Sequence, residues 1–165
     1  MESALEPHVS HSHHPLRILH VVGVMNRAGI ETWLVNVLRN IDRRRFVMDF
    51  LVQSDQPGDY DEQIRALGSR ILTAGTRRDP RFGTRLKRII KTQAYDIVHS
   101  HLNHSNGYLM WLARRAGVSV RVSHSHTDTA SKERSAQFSR RLLVRAMRAE
   151  IIRHSTHGLE ASEPA

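Results

Sequence analysis

The chain has 165 residues, 39% of them hydrophobic, which is enough for one domain with a buried core. It contains no cysteine, which excludes disulfide frameworks and thiolate metal sites. Its net charge of +9 and its pI near 11.1 favour an anionic partner, such as a phosphorylated ligand or an anionic lipid surface. No apolar run approaches the roughly 18 residues that a membrane-spanning helix needs.

Residues 1–15 form a leader that we expect to be disordered. The leader is rich in histidine, serine and proline and has few apolar side chains that a core could bury. Histidine-rich segments can bind metals, but a solvated leader is the simpler interpretation. The folded domain is therefore predicted to span residues 16–162.

The stretch from 16 to 31 changes from a strand pattern to a helix pattern. It opens with an apolar run that only His20 interrupts, which is typical of a buried parallel strand. Residues 23–29 then form a flexible loop. From Ile30 onward the apolar residues, Trp33 among them, recur about every 3.6 positions, which indicates an amphipathic helix with one apolar face.

The loop before this helix is the first candidate binding element. Backbone N–H groups and the helix dipole favour an anion at such a place. Asn26 and Arg27 would add side-chain donors, so we expect a phosphate- or sugar-binding loop rather than a purely structural turn. The loop lacks a dinucleotide fingerprint, because no glycine stands between Gly23 and Gly29.

The rest of the chain alternates apolar runs with amphipathic helices, the pattern of repeated βαβ units. Further strands are predicted at 46–53, 70–72, 96–101, 118–123 and 156–162, with helices at 61–67, 81–92, 105–116 and 132–153. The predicted fold class is a single α/β domain with a doubly wound, Rossmann-like parallel sheet. The common strand order 3-2-1-4-5-6 places the ligand crevice outside the carboxyl ends of strands 1 and 4.

Histidine pairs follow two of these strands. His99 and His101 end the fourth strand, and His124 and His126 follow the fifth; the i, i+2 spacing places each pair on one face, at the rim of the sheet. A neutral imidazole both donates and accepts, which suits a hydroxyl that must be oriented. The two pairs could instead hold zinc or nickel. Because Asp128 is the one carboxylate close by in the sequence, we expect a polar lining and no metal.

The segment from 17 to 32, RILHVVG-V-MNRAGIET, resembles the opening of the family-4 retaining glycosyltransferases of the GT-B type. Ala28 stands where that family often has a second glycine. The HSHT sequence at 124–127 is also frequent in the family. The resemblance runs over 16–162 and implies the amino-terminal, acceptor-side half of a two-domain GT-B enzyme.

The resemblance also implies site roles. His101 matches the histidine after the fourth strand that commonly touches the acceptor sugar, so it is the predicted catalytic residue. The loop around Gly29 would approach the transferring sugar and phosphate. The predicted substrate-binding residues are Asn26, Arg27, Gly29, Glu31, Asn103, His124 and His126. No cofactor is expected.

The activity implied for the whole enzyme is transfer of a sugar, of the hexosyltransferase type, from a nucleotide-sugar donor to a sugar or lipid-linked acceptor hydroxyl, with retention. The carboxy-terminal donor domain has no counterpart, and no two glutamates have the E-x7-E spacing of many relatives. We therefore expect the chain to be inactive alone, as a truncated frame or as half of a split enzyme with a separate donor-domain protein. The alternative is a stand-alone Rossmann-like module that binds an anionic ligand or partner without catalysis.

The predicted helix at 132–153 is basic and amphipathic, as helices on anionic membrane surfaces are. A packed helix with a solvated basic face is the simpler interpretation. A membrane surface is the alternative partner, because many members of the resembled family act on lipid-linked acceptors. The expected location is the cytoplasm, with peripheral contact at the inner face of the membrane. Aromatic residues make up 5% and no nucleic-acid motif occurs, so we expect no nucleic-acid partner.

Overall fold

The computed structural model describes residues 14–125 and 138–160. Within them, parallel strands form one sheet in the order β3-β2-β1-β4-β5-β6, which confirms the predicted fold class and strand order. The strands are β1 (Leu16–Val22), β2 (Phe46–Val52), β3 (Ile71–Thr73), β4 (Ile97–Ser100), β5 (Val120–Ser125) and β6 (His157–Glu160).

The helices of the described residues lie between these strands, close to the predicted bounds. They are α1 (Gly29–Asn40), α2 (Asp61–Ala66), α3 (Phe82–Thr92), α4 (Asn106–Arg115) and α5 (Phe138–His154), with a 3₁₀ turn at Asn103–Ser105 before α4. Several predictions lie outside the described residues: most of the leader 1–15, His126, Asp128, and the first part of the basic helix predicted at 132–153. The leader and the domain bounds therefore stay predictions.

Strand β5 begins two residues later than the sequence pattern predicts. Gly117 has φ +92°, the left-handed conformation that ends helices. The N–H of Val118 then donates to the carbonyl of Ala113 at 3.1 Å, so this residue caps α4 instead of joining the sheet. Pairing with β4 starts where Ile97 meets Val120. At its other end the strand extends to Ser125 and includes His124, which the sequence pattern places after the strand.

The two faces of the sheet bury separate cores. On one face, Val22 packs with Leu34 of α1. On the other face, Leu19 packs with Leu109 of α4. Because strand side chains alternate between faces, His20 lies on the α1 face together with Val22.

A buried carboxylate joins β2 to the segments before β3 and β4. Asp49 is 1% exposed. Its Oδ2 accepts from Arg70 Nη2 at 2.6 Å and from the Tyr95 hydroxyl at 2.7 Å, and its Oδ1 accepts from the Arg70 N–H at 2.9 Å. Burial alone would raise the pKa of this carboxyl, but the hydrogen bonds from Arg70 and Tyr95 outweigh burial and hold the pKa below its usual value.

We predict that Asp49→Asn lowers the free energy of unfolding by about 2 kcal/mol at pH 7, because charged hydrogen bonds are lost. The folded-state pKa lies below the unfolded one, so the stabilisation is complete above the unfolded pKa of about 3.9 and is lost as pH falls through the folded value. Urea unfolding at several pH values measures the difference between the two chains. Asp55→Asn, in an exposed loop, is the control. An Asp49→Asn effect that is equally large at pH 3 and pH 7 would contradict this assignment.

Candidate functional site

The carboxyl ends of β1, β4 and β5 meet at one edge of the sheet. There the His101 N–H donates to the Val21 carbonyl at 3.0 Å, which extends the pairing of β1 with β4 past the end of β4. Helix α1 begins at Gly29, and Trp33, one turn later, lies against His101 with ring centroids 6.3 Å apart. The predicted loop and the predicted histidine segment therefore lie at the same edge.

Histidines from β1, β4 and β5 form a cluster on the α1 face, which we call the histidine cluster: His20, His99, His101 and His124. His20 pairs in register with His99. His20 Nδ1 and His101 Nε2 are 3.1 Å apart, at hydrogen-bonding distance. The ring centroids of His99 and His101 are 4.1 Å apart, and the His124 ring lies 5.4 Å from each of them.

Burial disfavours the charged form of two histidines of the cluster, His20 and His124. His101 lies at the edge as predicted, but its side chain is only 5% exposed, so the expectation of an open rim residue is wrong. His20 is equally buried, and desolvation together with the neighbouring His99 and His124 lowers the pKa of His20 from 6.5 to about 3. Burial lowers the pKa of His124 as well. At pH 7 His20 is therefore neutral and both donates and accepts a hydrogen bond.

Two residues at this edge were missed by the sequence analysis. His20 was treated as an exception in a buried strand, although its position in the strand alternation places it on the face that His99 shares once β1 and β4 pair. Trp33 was assigned to the apolar face of α1. In the structure its side chain is 46% exposed and stands edge-on to His124, with centroids 6.0 Å apart. Its exposure at the crevice makes it a candidate contact for a ligand ring.

Asn106, the first residue of α4, ties the ends of β4 and β5 together. Its Oδ1 accepts from the Ser100 hydroxyl at 2.7 Å and from the Leu102 N–H at 3.0 Å. Its Nδ2 donates to Ser123 Oγ at 2.8 Å and to the His124 carbonyl at 3.2 Å. These contacts flank the histidine that follows β4, so Asn106 is a positioning residue. No motif marks Asn106 in the sequence; only its place near a helix start is visible there.

The loop before α1 is braced by the loop that leads to α2. The Arg27 N–H donates to the Asp59 carboxylate at 3.0 Å, and Asn26 Oδ1 accepts from the Asp59 N–H at 3.3 Å. Asn26, Arg27 and Gly29 are all exposed, and a Cβ added at Gly29 would meet no atom within 4 Å. Glu31 lies in the first turn of α1. The helix start therefore borders open space, while part of the polar capacity of Asn26 and Arg27 is used by Asp59.

Asn103 lies on the other side of the crevice, at the start of the 3₁₀ turn. Its φ of 49° is left-handed, a conformation that asparagine tolerates better than most residues. Its Oδ1 accepts from Ser125 Oγ at 3.5 Å. The structure thus gathers His101, Asn103 and His124 at one edge, and the roles assigned to them remain predictions.

The strand order and the crevice at this edge define the class of the fold: a doubly wound, Rossmann-like α/β domain. A K341M mutant of the O-GlcNAc transferase of Thermobaculum terrenum has a similar fold, with a TM-score of 0.52 and 18% identity over 70% of this chain and 24% of that one. The model of Glycosyltransferase Family 4 matches residues 27–157. The chain belongs to glycosyltransferase family 4.

Two curated relatives agree with this assignment. The putative glycosyltransferase EpsF of Bacillus subtilis (strain 168) is 37% identical over 117 residues, which cover 68% of this chain and 30% of EpsF. The capsular polysaccharide biosynthesis glycosyltransferase CapH of Staphylococcus aureus is 25% identical over 118 residues, 72% of this chain and 33% of CapH. The chain thus spans about a third of the length of the relatives it matches.

We predict that Asn106→Ala lowers the free energy of unfolding by about 2–3 kcal/mol, because it leaves buried partners on two strands unsatisfied. Denaturant unfolding measures this loss. Asn40→Ala is the matched control: this exposed asparagine at the end of α1 bonds only locally to the Asn36 carbonyl, and we expect a change within about 0.5 kcal/mol. Equal losses in the two variants would show that Asn106 does not brace the strands.

Proposed function

We propose that this chain is the acceptor-side half of a transferase that moves a sugar from a nucleotide-sugar donor to an acceptor hydroxyl with retention. The proposal is carried by the convergence of His101, Asn103 and Trp33 at the carboxyl edge of the sheet in a family-4 chain. The names of EpsF and CapH support a role in polysaccharide or glycoconjugate biosynthesis, with a sugar or lipid-linked acceptor.

Positioning is the main contribution that these residues would make. The neutral His20 ring fixes the His101 ring through the 3.1 Å contact, and a ring held in one orientation would align the acceptor hydroxyl. The start of α1 at Gly29 would face the transferring sugar and its phosphates, because helix N–H groups favour anions and the space beside Gly29 is open. The exposed Arg27 adds a positive charge there.

A donor-binding part would complete this site. In a two-domain transferase the reacting atoms meet between the domains, and correct orientation is worth up to roughly 7–11 kcal/mol of the barrier. Because the chain spans about a third of its relatives, we assign that part to a further domain or to a separate donor-domain protein. The transferred group is of the hexose type in this proposal.

We predict that the purified 165-residue chain, mixed with nucleotide sugars and candidate acceptors, releases no nucleoside diphosphate above background. The reason is that half a cleft cannot orient both substrates. Turnover of about 1 per second or faster by the chain alone would refute the proposal that a second part is needed.

A donor-domain protein added to the same assay should restore turnover. In that mixture His101→Gln should reduce turnover by about a hundredfold, because the acceptor loses its aligned partner. His157→Gln, an exposed histidine in β6, is the matched control and should leave turnover unchanged. An anion that binds near Gly29 without turnover in any mixture would instead favour a stand-alone binding module.

We also propose a cytoplasmic protein with peripheral contact to the inner face of the membrane through 132–153. In the described part of that helix, Arg145 and Arg148 are exposed and Ile152 is 80% exposed. Trp111 of the adjoining α4 is 36% exposed, beside Arg115. Across the described residues, no helix has the length and apolar character needed to cross a membrane.

We predict that the chain sediments with vesicles that contain anionic lipid, that it does not sediment with neutral vesicles, and that binding fades with salt, because cationic side chains act through a screened field. Arg145→Glu combined with Arg148→Glu should weaken binding. Arg44→Glu combined with Arg45→Glu, two exposed residues just before β2, is the charge-matched control. Equal binding to neutral and anionic vesicles would contradict an electrostatic contact.

A further inference from the structure

We propose that His20, His99 and His101 form a binding site for a divalent transition metal ion, with Zn²⁺ as the reference ion. One ring nitrogen from each of these residues can be chosen so that all three atoms lie within 4.8 Å of one another. The inference concerns metal binding by the chain itself and does not depend on the proposed sugar transfer.

One of the three nitrogen–nitrogen distances is close to that of a bound ion. Zn²⁺ binds histidine nitrogens at about 2.0–2.1 Å, which sets two nitrogens of a tetrahedral site about 3.4 Å apart. His20 Nδ1 and His101 Nε2 are already 3.1 Å apart. An ion would replace this N–H···N contact with two metal bonds. The ring that donates in this contact would then carry its proton on its other nitrogen, away from the ion. Both rings would stay neutral, and no proton would be released on binding.

The third nitrogen comes from the same rigid part of the sheet. His99 pairs in register with His20 and shares a strand face with His101. Hydrogen-bonded neighbouring strands therefore hold the ligands, and little chain entropy is lost on binding. Phe50 stacks on His20 with centroids 5.7 Å apart, and Trp33 lies 6.3 Å from His101, so apolar rings shield the site.

The donor set selects the class of ion. All three ligands are imidazoles, the whole sequence has no cysteine, and no carboxylate belongs to this group among the described residues. Imidazole suits zinc, copper and nickel, whereas magnesium and calcium prefer oxygen ligands. Three protein ligands leave a fourth position for water or an anion. The two His-x-His pairs alone predict a polar lining; the ligand that completes the metal site, His20, comes from β1.

The histidines of the leader have to be replaced before metal binding by the folded part of the chain is measured. It contains His8, His11, His13 and His14, which would bind metal by themselves. The test therefore uses the full-length chain with these four residues replaced by alanine, titrated calorimetrically with Zn²⁺ and, separately, with Mg²⁺. We expect one Zn²⁺ per chain, no Mg²⁺ binding, and a Tm that rises with Zn²⁺ concentration. A chain that binds no Zn²⁺ would overturn the proposal.

Single substitutions in this background then assign the ligands. His20→Gln, His99→Gln and His101→Gln should each weaken Zn²⁺ binding by at least about tenfold. His157→Gln, exposed on β6, is the matched control and should keep full affinity. Circular dichroism checks that each variant is folded. Unchanged affinity in folded His20→Gln or His99→Gln would overturn the site, because the metal would then be held elsewhere.

The absorption spectrum with Co²⁺ needs no substitution in the buried cluster. Co²⁺ in a four-coordinate site absorbs visible light much more strongly than six-coordinate Co²⁺. We expect the strong four-coordinate bands in the leader-substituted chain and their loss on addition of Zn²⁺. Weak six-coordinate bands would overturn the proposal even if His20→Gln does not fold.

Discussion

The parallel pairing of β1 with β4 is the constraint on which the rest of the structure depends. From β1 the chain winds outward to β2 and β3, and from β4 it winds the other way to β5 and β6. Loops that leave the two central strands therefore diverge, and a crevice opens between them. The same pairing sets Leu19 beside Val98 and His20 beside His99. A shift of the β4 register by one residue relative to β1 would place Val98 and His99 on the opposite faces of the sheet.

Two buried titratable groups of the sheet, Asp49 and His20, are stabilised in different charge states. Asp49 keeps its charge, because Arg70 and Tyr95 supply enough hydrogen bonds to outweigh the cost of burial. His20 instead stays neutral, since burial and the neighbouring His99 and His124 lower its pKa to about 3. The first arrangement joins strands by a charged network. The second leaves a neutral His20 ring, which both donates and accepts a hydrogen bond.

The features that the sequence predicted well depend on local patterns. Apolar runs and helical periods predicted the element order, because both follow from short-range spacing. The strand order was predicted as the one common among doubly wound sheets. The features that the sequence did not predict depend on which strands lie side by side or on how side chains pack. His20 acquires a role only when β4 lies beside β1. Asn106 braces strands that are distant in sequence, and Trp33 lies at the border of a helical face where spacing alone cannot decide exposure.

The proposed acceptor role and the proposed metal site both use the buried ring of His101. The ring faces His20 through Nε2, the nitrogen that an ion would use. In the proposed acceptor role without metal, the His20 contact would hold the ring for a hydroxyl that approaches from the crevice. With an ion bound, the fourth coordination position, rather than the imidazole, would meet an incoming hydroxyl or phosphate. Because both proposed ligands would use the same ring, their binding would be thermodynamically coupled: an ion that changes acceptor affinity by some factor would have its own affinity changed by the same factor.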